Sequence, residues 1–388
     1  MSIQLRPFDK VLWNAAAAAP ETLFAMPGIA ATLSEFKTAI PGAETITPFE
    51  TNEAVRPYRH LRAFYLRKTD GVIAVKGSEV FASDVEQMLA VMSGFRIDFL
   101  GRGKSLFSAL EHFALNEQKI PLALSVDEAM EDVSSAAAVQ RAHVARYGAR
   151  AHTPLPLLAV RWPDTVTEAH LKRLSTLLSA RARKSVERVA ADGLGAVVYH
   201  YPTVPQRVAH LPEILRTRSE KDWLARLAAI ADPQAAVNGW LDVVARLLVL
   251  GFLPGSVESI GVGHCLEMKN AVIDGGLVDM GSICRVEDVT DPRQFSETLL
   301  AALADLAKTC RHFLRGDVVD VEAEYRNPSL AMVLALHRLL PDLARRMEQL
   351  GGADPRIMEF FKYAAAADSL PVELSRLSPD SGGAGGHA

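Results

Sequence analysis

Apolar runs of strand length follow one another along the first half of the chain. Residues 61–67 and 72–76 match two strands of a hairpin, because Asp70-Gly71 between them is a dipeptide that favours tight turns. The second of these runs is continuously apolar until it ends at Lys76. A continuous apolar run is typical of a strand that is buried on both faces, so we expect residues 72–76 inside a sheet.

A long helix and two more strands are predicted next. Ser125 and Glu128 form a capping-box pattern, which predicts a helix that ends near Tyr147. The apolar runs at 154–160 and 196–201 have the length of buried strands. Helical and extended segments therefore share this half of the chain.

The second half has the periodicity of helices. Residues 235–252 are apolar on most faces around Trp240, which predicts a buried helix. Further helices are expected near 294–313, 328–350 and 354–367.

These patterns predict an α+β protein with a strand-bearing first part and a mainly helical second part. Prolines at 202 and 205 end the strand at 196–201, so we place the boundary near residue 208. In chain order we expect an N-terminal extension over 1–60, a sheet-containing domain over 61–208, a helical domain over 209–377 and a disordered glycine-rich tail over 378–388.

Composition narrows the classes of function. Apolar residues make up 49% of the 388 positions, which is enough for large cores and excludes disorder over the whole chain. The 42 Lys and Arg against 46 Asp and Glu give a net charge of −4, which argues against a protein that coats nucleic acid. Three cysteines without a CxxC pair support neither a disulfide framework nor a cysteine zinc site. Without a signal-peptide pattern or an apolar run near the roughly 20 residues of a membrane span, we expect no membrane contact and a cytoplasmic location.

The strongest chemical signal lies at residues 263–282. A short apolar strand follows Asn270, Asp274-Gly275 provides a two-residue turn, and a return strand ends at Asp279. We therefore expect Asn270 and Asp279 side by side at the open end of a hairpin. One amide oxygen and one carboxylate form a site for a hard cation, suited to Mg²⁺ that is bridged to phosphates.

This hairpin resembles the metal-binding segment of the protein-kinase-like superfamily. There, a catalytic-loop Asn and the Asp of an Asp-Phe-Gly motif hold the metal ions. Asn270 and Asp279-Met280-Gly281 are similar to those motifs. The nine-residue step from Asn270 to Asp279 is also similar to that of the selenoprotein O family of kinase-like AMP-transferases. The resemblance implies a two-lobed fold, ATP and Mg²⁺ as cofactors, and phosphoryl or adenylyl transfer.

Lys76 is the second feature of the resemblance. The run Val72-Ile73-Ala74-Val75-Lys76 is similar to the Val-Ala-Ile-Lys strand of kinases, whose lysine contacts the α- and β-phosphates and pairs with a helix glutamate. On this resemblance we assign the partner role to Glu131 on the helix that follows Ser125. Glu128, Gln140 and Glu86 are alternatives for that role.

The strand at 196–201 supplies the third feature. An apolar strand that leads into a proline-containing extended segment is similar to a kinase hinge. The resemblance implies that the backbone of Val198, Tyr199, His200 and Tyr201 contacts adenine. An ordinary core strand that leaves a sheet explains the same residues.

The loop before Asn270 supplies the candidates for catalysis. Glu267 is a carboxylate three residues before Asn270, and it is a candidate base or a ligand of a second metal ion. His264 is a candidate for the same role or for a structural one. Cys265 stands where kinase-like loops usually have the catalytic Asp, and Lys269 stands where selenoprotein O-like proteins have an Asp.

The predicted function is therefore an ATP- and Mg²⁺-dependent transferase that acts on a small-molecule or protein acceptor. Three alternatives stay open: an ATP-dependent amide-forming ligase, a nucleotide-binding pseudokinase, and a non-catalytic interaction protein. The loose similarity of His264 and Asn270 to siderophore synthetases favours the ligase. Cys265 at the position of the usual aspartate favours the pseudokinase.

Two other motifs have simpler explanations. Residues 101–105 end like a phosphate-binding loop, but Asp98 stands where that motif needs its first glycine. A predicted helix over 167–191 is rich in Lys and Arg, and interspersed acidic residues such as Glu187 indicate a solvated face rather than an anion-binding one.

Overall fold

The chain divides into two compact units. The computed structural model describes residues 20–26, 44–46, 63–68, 71–77, 110–111, 114–115, 118–121, 123–203, 205–215, 220–255, 266–281, 283–316 and 330–366. One unit comprises Met1–Ser134 and Leu155–Val204, and the other comprises Ser135–Pro154 and Pro205–Ala388. The change of unit after Val204 lies close to the predicted boundary, whereas the segment Ser135–Pro154 was predicted in the first domain and belongs to the second unit.

An antiparallel sheet is the main feature of the first unit. Its strands are β1 (Glu21–Ala25), β2 (Glu44–Ile46), β3 (Ala63–Lys68), β4 (Gly71–Lys76), β5 (Leu124–Ser125), β6 (Leu155–Arg161) and β7 (Leu194–Tyr201). Their order across the sheet is β1-β6-β7-β4-β3-β2, and β5 pairs with β7. The predicted mixed α+β class is confirmed, and so are the hairpin of β3 and β4 and the strands β6 and β7.

Two strands come from the region that we predicted as an N-terminal extension. β1 pairs with β6, with Glu21 opposite Arg161, and β2 pairs with β3, with Glu44 opposite Arg67. The prediction of an extension over 1–60 is therefore wrong at these strands. Such short edge strands are stabilised by pairing with the sheet, which hydrophobic periodicity does not reveal.

The inner strands are apolar because both of their faces are covered. Val72 to Val75 of β4 are at most 2% exposed, and Leu158 and Val198 on β6 and β7 are equally buried. Helices α1 (Val126–Tyr147), α2 (Asp164–Ser175) and α3 (Ala180–Val189) follow or separate these strands, and Leu174 and Val186 from α2 and α3 belong to the same core.

The basic helix predicted over 167–191 is two helices rather than one. α2 ends at Ser175, and α3 begins after Ser179, whose Oγ accepts the N–H of Ala182 at 3.3 Å. Serine at an N-cap satisfies a backbone donor that a new helix leaves without a partner. The cap therefore divides a stretch whose helical periodicity continues on both sides.

The second unit is mostly helical, as predicted. Its helices are α4 (Leu211–Ile214), α5 (Glu220–Ala228), α6 (Pro233–Val249), α7 (Pro292–Arg315), α8 (Leu330–Gln349) and α9 (Pro355–Ala366), with a two-stranded ladder of β8 (Phe252–Leu253) and β9 (Cys284–Arg285). The predicted helices in this region are confirmed with small shifts of their ends. α6 begins where the Asp232 carboxylate accepts the N–H groups of Gln234 and Ala235 at 3.0 Å each.

Within the described residues, no helix combines the length and the apolar character that a bilayer crossing requires. The described cysteines, Cys284 and Cys310, are partly buried free thiols. Burial raises the pKa of Cys284 to about 11 and that of Cys310 to about 12, so both are protonated near neutral pH. Cys265, His264 and the predicted tail over 378–388 lie outside the described residues.

His170 makes the stability of the first unit sensitive to acid. Its ring is 3% exposed, and Nε2 lies 3.0 Å from the carbonyl oxygen of Pro121. Burial lowers the pKa of His170 to about 4, with a smaller contribution from Arg173. The folded protein therefore holds this ring neutral at pH values where an unfolded chain would protonate it.

We predict that wild type loses more stability than His170→Gln between pH 7 and pH 5. The depressed pKa favours the unfolded state as the pH falls from about 6.5 to about 4, and at pH 5 the difference amounts to about 2 kcal/mol. Urea unfolding of both proteins at the two pH values measures this difference, since other histidines contribute equally to both. Equal losses in the two proteins would contradict the prediction.

Candidate functional site

The predicted hairpin between Asn270 and Asp279 is present in the second unit. Ala271 pairs with Leu277, and the N–H of Val278 donates to the carbonyl of Asn270 at 2.8 Å. Asn270 is therefore the direct neighbour of Val278, which immediately precedes Asp279 in the chain. The backbone brings the two predicted metal ligands to the same open end of the hairpin.

The turn of this hairpin differs from the predicted one. The N–H of Gly275 donates to the carbonyl of Val272, and the N–H of Val272 donates to the carbonyl of Gly276, both at 3.0 Å. The loop therefore holds three residues rather than two. Gly275 has φ +90°, the conformation expected of the last residue in a three-residue hairpin loop. The consecutive glycines 275 and 276 allow either loop length, so the sequence alone did not distinguish them.

Asp279 has an unusual backbone conformation. Its φ is +69°, and within the described residues only Gln118 is another non-glycine residue with positive φ. This conformation costs on the order of 1 kcal/mol for a residue with a Cβ atom. Its neighbours Val278 and Met280 are each 1% exposed, so the surrounding core fixes the strained residue. Strain of this kind is often found at functional sites.

A second segment pairs with the strand that Asn270 begins. The N–H of Val208 donates to the carbonyl of Ala271 at 2.9 Å, and the N–H of Ala209 donates to that of Met268 at 3.0 Å. Arg207 lies opposite Val272 in this pairing. The strand that follows Asn270 is thus the middle strand of three, with backbone partners on both sides. We call these three paired segments, 206–209, 270–273 and 276–279, the site ladder.

Helix α6 packs directly against the turn of the site ladder. A Cβ atom built on Gly239 would lie 2.8 Å from the Cα of Gly275, and a Cβ on Gly275 would lie 2.9 Å from the Cα of Gly239. Trp240, which is fully buried, donates its indole N–H to the carbonyl of Val272 at 2.9 Å. The predicted buried helix around Trp240 is confirmed, and it fixes the turn by a contact of two backbones.

The loop before Asn270 is held at both ends. The N–H groups of Asn270 and Ala271 both donate to the carbonyl of Glu267, at 2.8 and 3.0 Å. Thr309 of α7 donates its hydroxyl to the carbonyl of Leu266 at 2.8 Å. The carboxylate of Glu267 lies 3.0 Å from Lys269 Nζ, and both side chains are partly exposed. The carboxylate of the candidate base Glu267 is therefore ion-paired with the neighbouring Lys269.

His152 clamps the far end of the site ladder. Its carbonyl accepts the N–H of Leu277 at 3.1 Å. Its ring packs against Gly276 so closely that a Cβ atom at Gly276 would lie only 2.9 Å from the ring. His152 Nε2 lies 3.3 Å from a carboxylate oxygen of Asp274, whose other oxygen accepts the N–H of Gly276. The hydrogen bond with Asp274 raises the pKa of His152, which outweighs the opposite effect of burial. No pattern in the sequence pointed to this pair.

The first unit contains the predicted lysine. Lys76 Nζ donates to a carboxylate oxygen of Asp132 at 2.5 Å, and the two side chains are only 16% and 6% exposed. The ion pair is thus formed with Asp132, the chain neighbour of the predicted partner Glu131, which lies on the exposed face of α1. Asp132 shares the buried face with Ala129 and Val133, at helical spacing.

The alternatives for the partner of Lys76 have other roles. Glu128 lies 4.0 Å from Lys119, and its N–H donates to Ser125 Oγ at 3.1 Å, as the capping-box prediction requires. Gln140 Nε2 donates to the hydroxyl and to the carbonyl of Thr153, at 2.9 and 3.0 Å. Glu86 lies outside the described residues.

The predicted adenine-binding residues lie at the centre of the sheet. Val198 is opposite Val75 on one side and Leu158 on the other, and Tyr199 and His200 are likewise paired on both sides. Tyr201 has a register partner in β4 alone. A strand that is paired on both sides uses its backbone groups mainly in the sheet, which argues against backbone recognition of adenine at Val198, Tyr199 and His200. Tyr201, paired on one side, fits the predicted role better.

The donors at the hairpin fit one kind of metal site. Within the described residues, no group of three or more His, Cys, Asp or Glu side chains is placed to hold a metal ion. Asn270 and Asp279 offer an amide and a carboxylate. Mg²⁺ keeps several water ligands and is typically held by one or two protein carboxylates together with substrate phosphates. The residues therefore fit Mg²⁺ that arrives with a phosphate ligand, and they do not form a complete protein cage.

Helix α7 carries a buried ion pair that the sequence did not predict. Lys308 Nζ donates to Asp305 Oδ1 at 3.0 Å, and the side chains are 3% and 4% exposed. The pair adjoins Thr309, which anchors the loop at Leu266. Asp305 and Lys308 are a helical turn apart on a strongly amphipathic helix, and their position among apolar neighbours was the available sequence signal.

Comparisons with known proteins give no guide to the family. The chain matches no family model, no curated protein and no solved structure.

We predict that Gly275→Ala destabilises the second unit more than Gly251→Ala does. Both glycines have positive φ, +90° and +78°, so both variants suffer the same backbone strain of about 1 kcal/mol. Only at Gly275 does the new methyl group collide with Gly239, for which we expect about 1–3 kcal/mol more. Urea unfolding measures both variants, and equal losses would contradict the packing argument.

We predict that the pair of His152 and Asp274 stabilises the second unit most at low pH. Because the pKa of His152 is raised, the pair contributes fully below the ordinary histidine pKa and loses its contribution as the pH rises through the raised value. Wild type should therefore lose more stability between about pH 6 and pH 8.5 than Asp274→Asn, which keeps an acceptor for the N–H of Gly276. The same pH dependence in both proteins, measured by urea unfolding, would count against this pair.

Proposed function

We propose that the chain is an ATP- and Mg²⁺-dependent transferase with a two-lobed, protein-kinase-like fold. The observation that supports it best is the ion pair between Lys76 and Asp132. Protein kinases hold a strand lysine with a helix carboxylate in this way when the lysine contacts nucleotide phosphates. The chain has an aspartate where that family has a glutamate, and at 2.5 Å the shorter side chain still reaches the ammonium group.

Lys76 would neutralise charge on the α- and β-phosphates. Because its side chain is 16% exposed, the ammonium group has lost most of its water and depends on Asp132 for a compensating charge. The buried carboxylate also fixes the direction of the lysine. A fixed cation stabilises developing phosphate charge without reorganising during the reaction, which is the main source of catalysis in phosphoryl transfer.

Asn270 and Asp279 would hold the magnesium ion through their side-chain oxygens. When bound, Mg²⁺ neutralises phosphate charge and orients the phosphates for attack. The site ladder supports this role because it fixes the backbone of both ligands. The strained backbone of Asp279 is a further support, since strain of this kind persists where it serves a site.

Glu267 would orient or deprotonate the acceptor, with His264 as the second candidate for that role. The Glu267 carboxylate lies 3.0 Å from Lys269 Nζ, which orients the side chain of the candidate base. The backbone of Glu267 is fixed to Asn270, so a proton acceptor at this position stays at a constant place relative to the metal ligand. From the sequence alone we also propose that the acceptor is a small molecule or a protein and that the chain is located in the cytoplasm.

A nucleotide-binding pseudokinase is the second candidate. The ion pair of Glu267 with Lys269 favours it, because the lysine engages the carboxylate that would have to accept the proton. The sequence adds Cys265 at the place of the usual catalytic aspartate. Both candidates require binding of Mg²⁺ and ATP, and only the transferase turns ATP over.

We predict that the full chain binds the ATP analogue AMP-PNP in a magnesium-dependent manner. Asp279→Ala and Lys76→Met should each weaken this binding by about tenfold or more, because the first removes a ligand of the magnesium ion and the second removes a cation that contacts the phosphates. Isothermal titration calorimetry with and without magnesium measures the effect. The magnesium dependence should disappear only in Asp279→Ala.

Matched variants control for general damage. Asp222→Ala and Lys184→Ala change exposed residues of the same types and should bind AMP-PNP like wild type. If wild type does not bind AMP-PNP, or if Asp279→Ala keeps both affinity and magnesium dependence, the proposed function is wrong. Incubation with ATP labelled at the α- or the γ-phosphate and a metabolite pool then separates adenylyl transfer, phosphoryl transfer and the pseudokinase.

A further inference from the structure

Arg207 occupies an outer strand of the site ladder. The N–H of Ile273 donates to the carbonyl of Gln206 at 2.9 Å, and the N–H of Val208 donates to that of Ala271. These two bonds flank Arg207 and Val272, which are therefore a non-hydrogen-bonded pair with side chains on the same face. These two bonds fix the backbone before and after Arg207 in the chain.

The guanidinium group of Arg207 has no counter-charge among the residues that the structure describes. Its Nε is shielded from solvent and donates no hydrogen bond, and the side chain makes no ion pair with any described residue. The residue as a whole is partly exposed, so a ligand can reach the rest of the group. Partial burial of a charge without a partner is unfavourable, and an unsatisfied group of this kind calls for an explanation such as a bound ion.

The position of Arg207 relates it to the candidate metal ligands. In an antiparallel ladder, directly opposite Cβ atoms lie about 4.5–5.5 Å apart, and diagonal neighbours lie roughly 7–8 Å apart. Val272 is opposite Arg207, and Asn270, two residues earlier on the same strand, is the diagonal neighbour. A long arginine side chain spans that distance.

We propose that Arg207 binds a phosphate group of the substrate, next to the metal ligand Asn270. The inference deepens the proposed function, on which it rests for the identity of the substrate. A guanidinium group suits this task because it is always charged and its planar donors match phosphate oxygens in pairs. The phosphate belongs either to the nucleotide or to a phosphorylated acceptor.

Inorganic pyrophosphate tests this proposal without relying on the metal site. We expect magnesium-free pyrophosphate to bind the full wild-type chain more tightly than sodium chloride of equal ionic strength explains. Arg207→Gln should weaken this binding about tenfold or more, and Arg207→Lys should weaken it less, because lysine keeps the charge and loses the paired donors. Calorimetry and the pyrophosphate-induced rise in melting temperature give two independent readings.

Arg338→Gln is the matched control, since Arg338 is an exposed arginine of the same unit. It should bind pyrophosphate like wild type. Without pyrophosphate, Arg207→Gln should be as stable as wild type or more stable, because it removes a partly buried charge. A purely structural role for Arg207 predicts the opposite.

The same variants identify the source of the phosphate. Weaker Mg²⁺·AMP-PNP binding by Arg207→Gln, with unchanged adenosine binding, assigns Arg207 to the nucleotide, and unchanged Mg²⁺·AMP-PNP binding assigns it to the acceptor. The proposal is overturned if wild type does not bind pyrophosphate, or if Arg207→Gln binds it equally well. Failure of AMP-PNP to bind wild type would reject the proposed function and leave the pyrophosphate result intact.

Discussion

The close backbone contact between Gly239 and Gly275 is the constraint on which the candidate site depends. With Cα atoms this near, any side chain at either position would separate helix α6 from the hairpin turn. The contact also brings the Trp240 indole to the carbonyl of Val272. Since Asn270 belongs to the same strand as Val272, its position relative to the buried helix follows from two glycines. The geometry of a polar site therefore depends on the close packing of α6 against the hairpin turn.

In the first unit, the main constraint is the burial of the Lys76 ammonium group. Lys76 ends a strand whose other residues are almost completely buried, and the cost of removing its ammonium group from water is large. Asp132 offsets that cost, but a well-packed apolar pair would often be as stable. Stability alone is therefore a poor explanation for the pair. The proposed role in phosphate binding would explain why a charge is present at this point of the sheet.

Local sequence patterns predicted the helices and strands well, but they predicted the side-chain and strand partners poorly. The hairpin of Asn270 and Asp279 and the buried helix around Trp240 follow from turn residues and periodicity, which act within a few positions. The choice between Glu131 and Asp132 depends on which face of a helix meets the sheet, and a one-residue error rotates a side chain by about 100°. The edge strand β1 depends on pairing with a strand far away in the chain, so no local pattern could reveal it.

Three unfavourable features of the second unit lie on one small ladder. Asp279 has a strained backbone, Arg207 has a partly desolvated charge with no counter-charge in the described part of the chain, and Asn270 is a polar side chain only 3% exposed. Each feature lowers stability, and each could be removed by a common substitution. A ladder with backbone partners on both sides of its middle strand, clamped by α6 and His152, can hold such features in place. Their position on the strands that hold the predicted metal ligands is the pattern expected when function rather than stability determines these residues.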